Sequence, residues 1–193
     1  RSGLMPLAIR FYEQIREWAG DALTVIFPEW IRGPFGVALP LRGYQDLLVD
    51  LLVDPVFAQA LLERITSTRQ DWHRARARYL NEPLPAGSLF NDEVDADVFA
   101  PRLYAQHILP YERILARFHG RVTYWHSCGN IAPMAADIAS LPGLDMLDIG
   151  PWTDLAQVLQ PLQGRIPRLE IRLHPLTDVQ SASPAWMEER IRQ

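Results

Sequence analysis

Arg121-Val122-Thr123-Tyr124-Trp125-His126-Ser127-Cys128-Gly129-Asn130-Ile131-Ala132-Pro133 is the stretch whose reading decides the fold. Its first half is β-branched or aromatic, the side chains enriched in strands. Alternation along a strand puts Tyr124, His126 and Cys128 on one face and Thr123, Trp125 and Ser127 on the other. Gly129 breaks the strand, Asn130 is a good helix N-cap, and an apolar run follows from Ile131. The segment therefore predicts strand, tight turn and helix, with an imidazole and the chain's one thiol side by side at the junction. A thiol near a helix N-terminus is expected to ionise more readily. With the imidazole beside it, the pair makes a soft-metal site, zinc being the first candidate. The bland alternative is a small buried thiol next to a hydrogen-bonded strand-end histidine, because a metal needs more than two ligands.

Outward from this centre the pattern repeats. Pro101 opens a helix that runs to His119 and stops at Gly120. Beyond the turn, a helix over 131–140 precedes a strand over 144–149 that ends in Asp148-Ile149-Gly150-Pro151. Thr153 caps a helix to Leu162, a strand over 168–173 ends in His174-Pro175, and Ser183-Pro184 opens the last helix. Toward the N-terminus, a strand over 88–91 runs into Asn91-Asp92-Glu93-Val94-Asp95, either a solvated acidic loop or a ligand-binding rim. Before it, Asp54-Pro55 starts a long helix to about Tyr79 whose Arg69, Arg74, Arg76 and Arg78, interspersed with acids, read as a solvated face. Helices over Met5–Ala19 and Tyr44–Val53, a buried strand over 22–27 and a shaped loop carrying Arg32-Gly33-Pro34-Phe35-Gly36 complete the order.

Strands alternating with helices predict a parallel sheet covered by helices, an α/β fold. No Gly-x-Gly-x-x-Gly follows a strand, which removes support for a dinucleotide site. Asp92, Glu93, His126, Cys128, Asp148 and His174 all fall at strand C-termini, where a (β/α) barrel assembles its active site.

Composition narrows the classes further. The chain has 193 residues, 48% hydrophobic and 22% charged, with a formal charge of −4, so no basic field awaits nucleic acid or an anionic membrane. All 19 basic residues are arginine, which excludes Schiff-base or Walker-type lysine chemistry within this chain. A single cysteine forms no internal disulfide and suits a reducing cytoplasm. The start on Arg1 without a leader pattern fits a fragment or processed product, and 47–62, the most apolar region, is interrupted by Asp50 and Asp54.

In these patches the chain resembles the uroporphyrinogen decarboxylase superfamily, and within it the cobalamin-dependent methyltransferases. Gly33-Pro34-Phe35, followed by Leu41-Arg42-Gly43 and the Leu47 to Pro55 run, is similar to the family's Gly-Pro-Phe loop and following helices. Asn91-Asp92-Glu93, then Pro101 and Leu109-Pro110-Tyr111, is similar to its acidic strand end and Pro-Tyr helix. His126-Ser127-Cys128-Gly129-Asn130 matches the His-x-Cys-Gly-Asn signature that the methyltransferase branch uses for zinc. Arg172-Leu173-His174 departs from the Gly-Asn expected at the family's corresponding strand end.

The resemblance implies a (β/α)8 TIM barrel with about five of its eight strands in this chain, residues 1–193 forming one partial-barrel domain. It implies zinc on His126 and Cys128, and a methyl group moved between methylcobalamin on a separate corrinoid protein and a thiol or folate acceptor. With one cysteine, further ligands must come from Asp92, Glu93, Asp148, His174 or a partner. Asp92, Glu93 and Asp148 are the expected catalytic residues, and Phe35, Asn91, Trp125, Asn130 and His174 the expected substrate contacts. The rival readings are a decarboxylase of an acidic tetrapyrrole and a non-catalytic partial-barrel subunit. For the strands missing from the barrel the alternatives are the rest of a longer protein, a homo-oligomer or complementary chain that completes the barrel, and a degraded or divergent relative that lacks them.

Overall fold

A computed structural model describes residues 3–165 and 168–192. The chain divides into two compact units, residues 1–30 and residues 31–193. In the first, Met5–Ala19 is helix α1, with Pro6 in its opening turn and Gly20 stopping it at φ 52°. Tyr12 of α1 meets Phe27 edge-on, ring centroids 4.9 Å apart. Residues 22–27, expected as a strand, form none: the apolar run there pairs with no neighbouring backbone as sheet. The short β-type pairing lies a few residues later, where Phe90 N–H donates to Ile31 C=O and Gly33 N–H to Phe90 C=O, with a parallel bridge between Arg32 and Phe90.

The second unit opens with α2 (Pro34–Arg42), α3 (Tyr44–Val53) and α4 (Pro55–Leu80). Asp54 caps α4 by accepting from Phe57 N–H, and Asn81 closes it in the left-handed conformation. Four parallel strands follow among the described residues, β1 (Gly87–Phe90), β2 (Val122–Ser127), β3 (Met146–Ile149) and β4 (Arg168–Ile171), lying in that order across one sheet. The strand count is thus four and one bridge rather than five, and the architecture is the α/β layering of a partial TIM barrel. Between the strands run α5 (Pro101–Leu103) continuing into α6 (Leu109–His119), α7 (Ala135–Ile138) and α8 (Leu155–Leu162). Helix α9 (Pro184–Arg192) ends the chain, with Trp186 N–H donating to Ser183 Oγ. Among the described residues no helix is long and apolar enough to cross a membrane.

Two local readings change. The helix expected over 131–140 is a single 3₁₀ turn, Ala132–Met134, and then α7. The cap of α8 is Asp154, which accepts from Ala156 N–H, while Thr153 is buried and bonds Ile131 N–H and Gly129 C=O instead. The arginines of α4 are also not all solvated. Arg69 is buried and donates to the carbonyls of Ile31, Arg32 and Ser88, fastening α4 to the strand ends. A guanidinium suits that task because its fork reaches several carbonyls at once.

Sheet register sorts the side chains. Leu89, Trp125 and Leu147 form one fully buried row beneath the helices, and Phe90, His126, Asp148 and Glu170 form the adjacent row on the opposite face. Under the helix layer, Glu112 of α6 is buried and receives Asn91 Nδ2 at 2.9 Å, Tyr104 Oη at 2.7 Å and Trp125 Nε1 at 3.0 Å. Ahead of Pro110, which has no N–H to give, the helix widens to a π-turn over Tyr104–Ile108.

Burial outweighs the three donors and pushes the Glu112 carboxyl up to about 7. The folded state therefore binds this proton more tightly than the unfolded chain, so the stabilisation is present in acid and lost as pH rises through 7. About 2 kcal/mol should disappear between pH 5 and 7. Denaturant titrations at these two pH values should show that loss in the wild type and its absence in Glu112→Gln. Equal slopes in the two proteins would refute the buried neutral carboxyl.

Candidate metal centre

His126 stands on β2 at the step where the polar row crosses the sheet. In register with it, Asp148 on β3 accepts from Nδ1 at 2.5 Å. On its other side, Nε2 lies 2.8 Å from Asp92 Oδ1 and 3.6 Å from Cys128 Sγ. Asp92 comes from the loop after β1, whose Asn91 N–H donates to His126 C=O and holds the two strand ends together. Cys128 follows β2, and its chain direction is set by Ser127 Oγ, which donates to Val94 C=O and accepts from Gly129 N–H. The donor atoms of Asp92, His126 and Cys128 all lie within 4.8 Å of one another.

Asp148 is fully buried and saturated. Arg172 Nε donates to its two oxygens at 3.0 and 2.7 Å, and the Tyr124 hydroxyl donates at 2.7 Å. Arg172 also reaches Glu170, 3.3 Å away. Burial alone would raise the Asp148 carboxyl, but Arg172, Tyr124 and His126 hold it below the ordinary carboxylate range. The same contacts act back on the partners: desolvation and then Asp148 raise Tyr124, and Asp148 raises Arg172.

The thiol departs from expectation. Desolvation and the nearby Asp92 carboxylate push Cys128 above its usual value. No helix begins at Gly129 to oppose them, since the first turn starts at Ala132 and is only a 3₁₀ turn. Without a cation the sulfur therefore stays protonated at neutral pH, and a bound metal ion is what would ionise it.

The donors present fit zinc. Tetrahedral bonds of about 2.3 Å to sulfur and about 2.0 Å to nitrogen place those two atoms about 3.5 Å apart, close to the Sγ–Nε2 separation of 3.6 Å found. Asp92 would have to move off Nε2 by about half an ångström to serve as third ligand, and its half-exposed position gives it that freedom. Three ligands among the described residues would leave room on a tetrahedral ion for a further ligand or a substrate.

The other expected site residues are distributed differently. Glu93 is paired with Arg32, whose Nε donates to Gly36 C=O, and does not join the trio. Phe35 is fully buried against Phe99, ring centroids 5.4 Å apart, and presents no surface to a substrate. Asn91 and Trp125 are buried on Glu112, so they support the strand ends from below. Asn130 accepts from Ala132 N–H and donates to Asp97, and is a loop fastener. His174 packs its ring on Trp152 at 4.3 Å and caps the following turn through Nδ1. The residues that sequence reasoning passed over are Tyr124, Glu170 and Arg172. Tyr124 was legible, sharing the His126 face by alternation, as Arg172 shares the Glu170 face in the strand expected over 168–173; β4 stops at Ile171 and leaves Arg172 just beyond it.

Comparison with known proteins agrees with this architecture. A methyltransferase from Methanosarcina mazei superposes with a TM-score of 0.60 over 88% of this chain at 18% identity, a likeness of fold. This chain covers 49% of that protein, about half its length. No curated protein matches the chain. The model of the uroporphyrinogen decarboxylase (URO-D) family matches residues 6–189. With nearly the whole chain inside that match and a parallel sheet carrying its polar row at the strand ends, the chain belongs to the uroporphyrinogen decarboxylase family.

Proposed function

We propose that this chain is part of a zinc-dependent methyltransferase that moves a methyl group between a corrinoid and a thiol or folate acceptor. The observation that carries the reading is the convergence of Asp92, His126 and Cys128, with sulfur and nitrogen at the separation a shared zinc demands. Its likeness in fold to the archaeal methyltransferase supports the same reading. Bound there, zinc supplies the Lewis acidity that makes a substrate thiol easy to deprotonate. His126 and Cys128 would hold the ion, and Asp92 would complete the set. The carboxylate oxygen of Asp92 left off the ion would be a base for the thiol proton. A corrinoid, when bound, would supply the methyl group that the substrate sulfur takes, and the three side chains would hold that sulfur next to the ion. The corrinoid would arrive on a separate protein.

The decarboxylase alternative is disfavoured by charge. It needs cations for the carboxylates of an acidic tetrapyrrole, and at this rim Arg172 is engaged by Asp148 and Glu170, and Arg32 by Glu93. Zinc-loaded protein mixed with methylcobalamin and a small thiol should bleach the methylcobalamin spectrum and yield the methyl thioether, and chelation should stop it. No methyl transfer from protein carrying one zinc, or decarboxylation of a uroporphyrinogen by metal-free protein, overturns the proposal.

A further inference from the structure

The geometry points to Asp148 as a positioning residue: clamped by Tyr124 and Arg172, it fixes the His126 ring with Nδ1–H toward itself and Nε2 toward Asp92 and Cys128. The inference rests on the zinc reading for its consequence, which is that Asp148 sets metal affinity without touching metal or substrate.

The argument starts from the sheet. His126 and Asp148 are paired across β2 and β3, so backbone register, not a flexible loop, brings the carboxylate to the ring. Glu170 is paired with Asp148 in turn, which puts a second carboxylate in the same row and makes a cation necessary there. Arg172 is that cation, reaching both acids from just beyond β4. Tyr124, two residues before His126, adds its hydroxyl from the same face, and its ring lies parallel to the imidazole, centroids 6.4 Å apart.

Every donor around Asp148 therefore points inward to it, and one carboxylate oxygen, Oδ2, accepts from His126, Tyr124 and Arg172 together. A carboxylate so held has no freedom to rotate toward a substrate. What it does have is a short, 2.5 Å bond to Nδ1, which forbids the alternative in which Nδ1 is the ligand. An imidazole whose second nitrogen is pinned in this way binds metal more tightly, and loss of such a partner typically costs about 10- to 100-fold in metal affinity.

The test is made on the same chain with two readouts. Zinc affinity is measured by competition with a chromophoric chelator in wild type, Asp148→Asn and Tyr124→Phe. The Nδ1 proton of His126 is followed by ¹H–¹⁵N NMR on metal-free and zinc-loaded protein. The expected result is a far-downfield Nδ1 proton in wild type that moves upfield in Asp148→Asn, with zinc binding weakened about 10- to 100-fold. Tyr124→Phe leaves the carboxylate in place and should weaken zinc only a few-fold. A purely structural role would lower the melting temperature and leave the affinity of the folded fraction alone. Unchanged affinity in Asp148→Asn, or a wild type without the downfield proton, overturns the assignment. A wild type that shows the proton yet takes up no zinc removes the metal reading and leaves Asp148 as the group that orients His126.

Discussion

Cys128→Ser protein is expected to leave purification without zinc, while the wild type carries about one ion per chain. The physical reason is ligand softness. A thiolate binds zinc strongly and ionises on binding, whereas a serine hydroxyl holds its proton and offers a poor neutral oxygen. Structural zinc sites with four ligands are worth about 10–16 kcal/mol in all, so one ligand's share is about 3–4 kcal/mol, or about 10² to 10³ in affinity. The side chain is exposed and the substitution removes little packing, so the variant should melt close to the metal-free wild type. Elemental analysis after dialysis and a melting curve on the same sample suffice. Stoichiometric zinc in a well-folded Cys128→Ser chain would refute the centre.

How much of this was legible beforehand depended on period. The β2 stretch announced itself because four consecutive side chains are strand formers and a glycine follows, and its alternation correctly put His126 and Tyr124 on one face with Trp125 on the other. The long helix α4 was equally plain, bounded by Asp54-Pro55 and a left-handed Asn81. The run over 22–27 misled because a short apolar segment reads as a strand whether or not a neighbour is there to pair with it. Arg69 misled for the opposite reason: its helix is polar in sequence, and only the approach of Ile31, Arg32 and Ser88 carbonyls makes one arginine internal.

The site divided along the same line. His126 and Asp148, both expected at strand C-termini, stand side by side across β2 and β3, Asp148 under the ring rather than open to a substrate. Residues assigned by analogy to substrate contact, Phe35, Asn91 and Trp125, are buried supports. The raised thiol of Cys128 could not be read from sequence either. It depends on where the following helix begins and on how near Asp92 comes, both tertiary facts.

Gly150→Ala should damage stability and metal binding together. At this position, where β3 ends, a Cβ would come 2.5 Å from Cys128 carbonyl carbon and 2.5 Å from Ser127 carbonyl oxygen. Both obstacles are main chain, so no rotamer change relieves them, and either β3 or the Ser127–Cys128 peptide must move. Overpacking of this kind costs about 3 kcal/mol, which for a chain of this size lowers the melting temperature by about 6–12 °C. Gly120→Ala is the matched control: its φ of +79° makes alanine strained, but nothing lies within 4 Å, so about 1–2 kcal/mol is expected. The two variants separate backbone strain from collision. Because the colliding peptide carries Cys128, the Gly150 variant should also bind zinc at least about tenfold more weakly at temperatures where it is fully folded, as one displaced ligand implies. The Gly120 variant should bind it as the wild type does. If Gly150→Ala melts early yet holds zinc normally, the sulfur finds its place independently of the β3 end, and the sheet register is not what builds the centre.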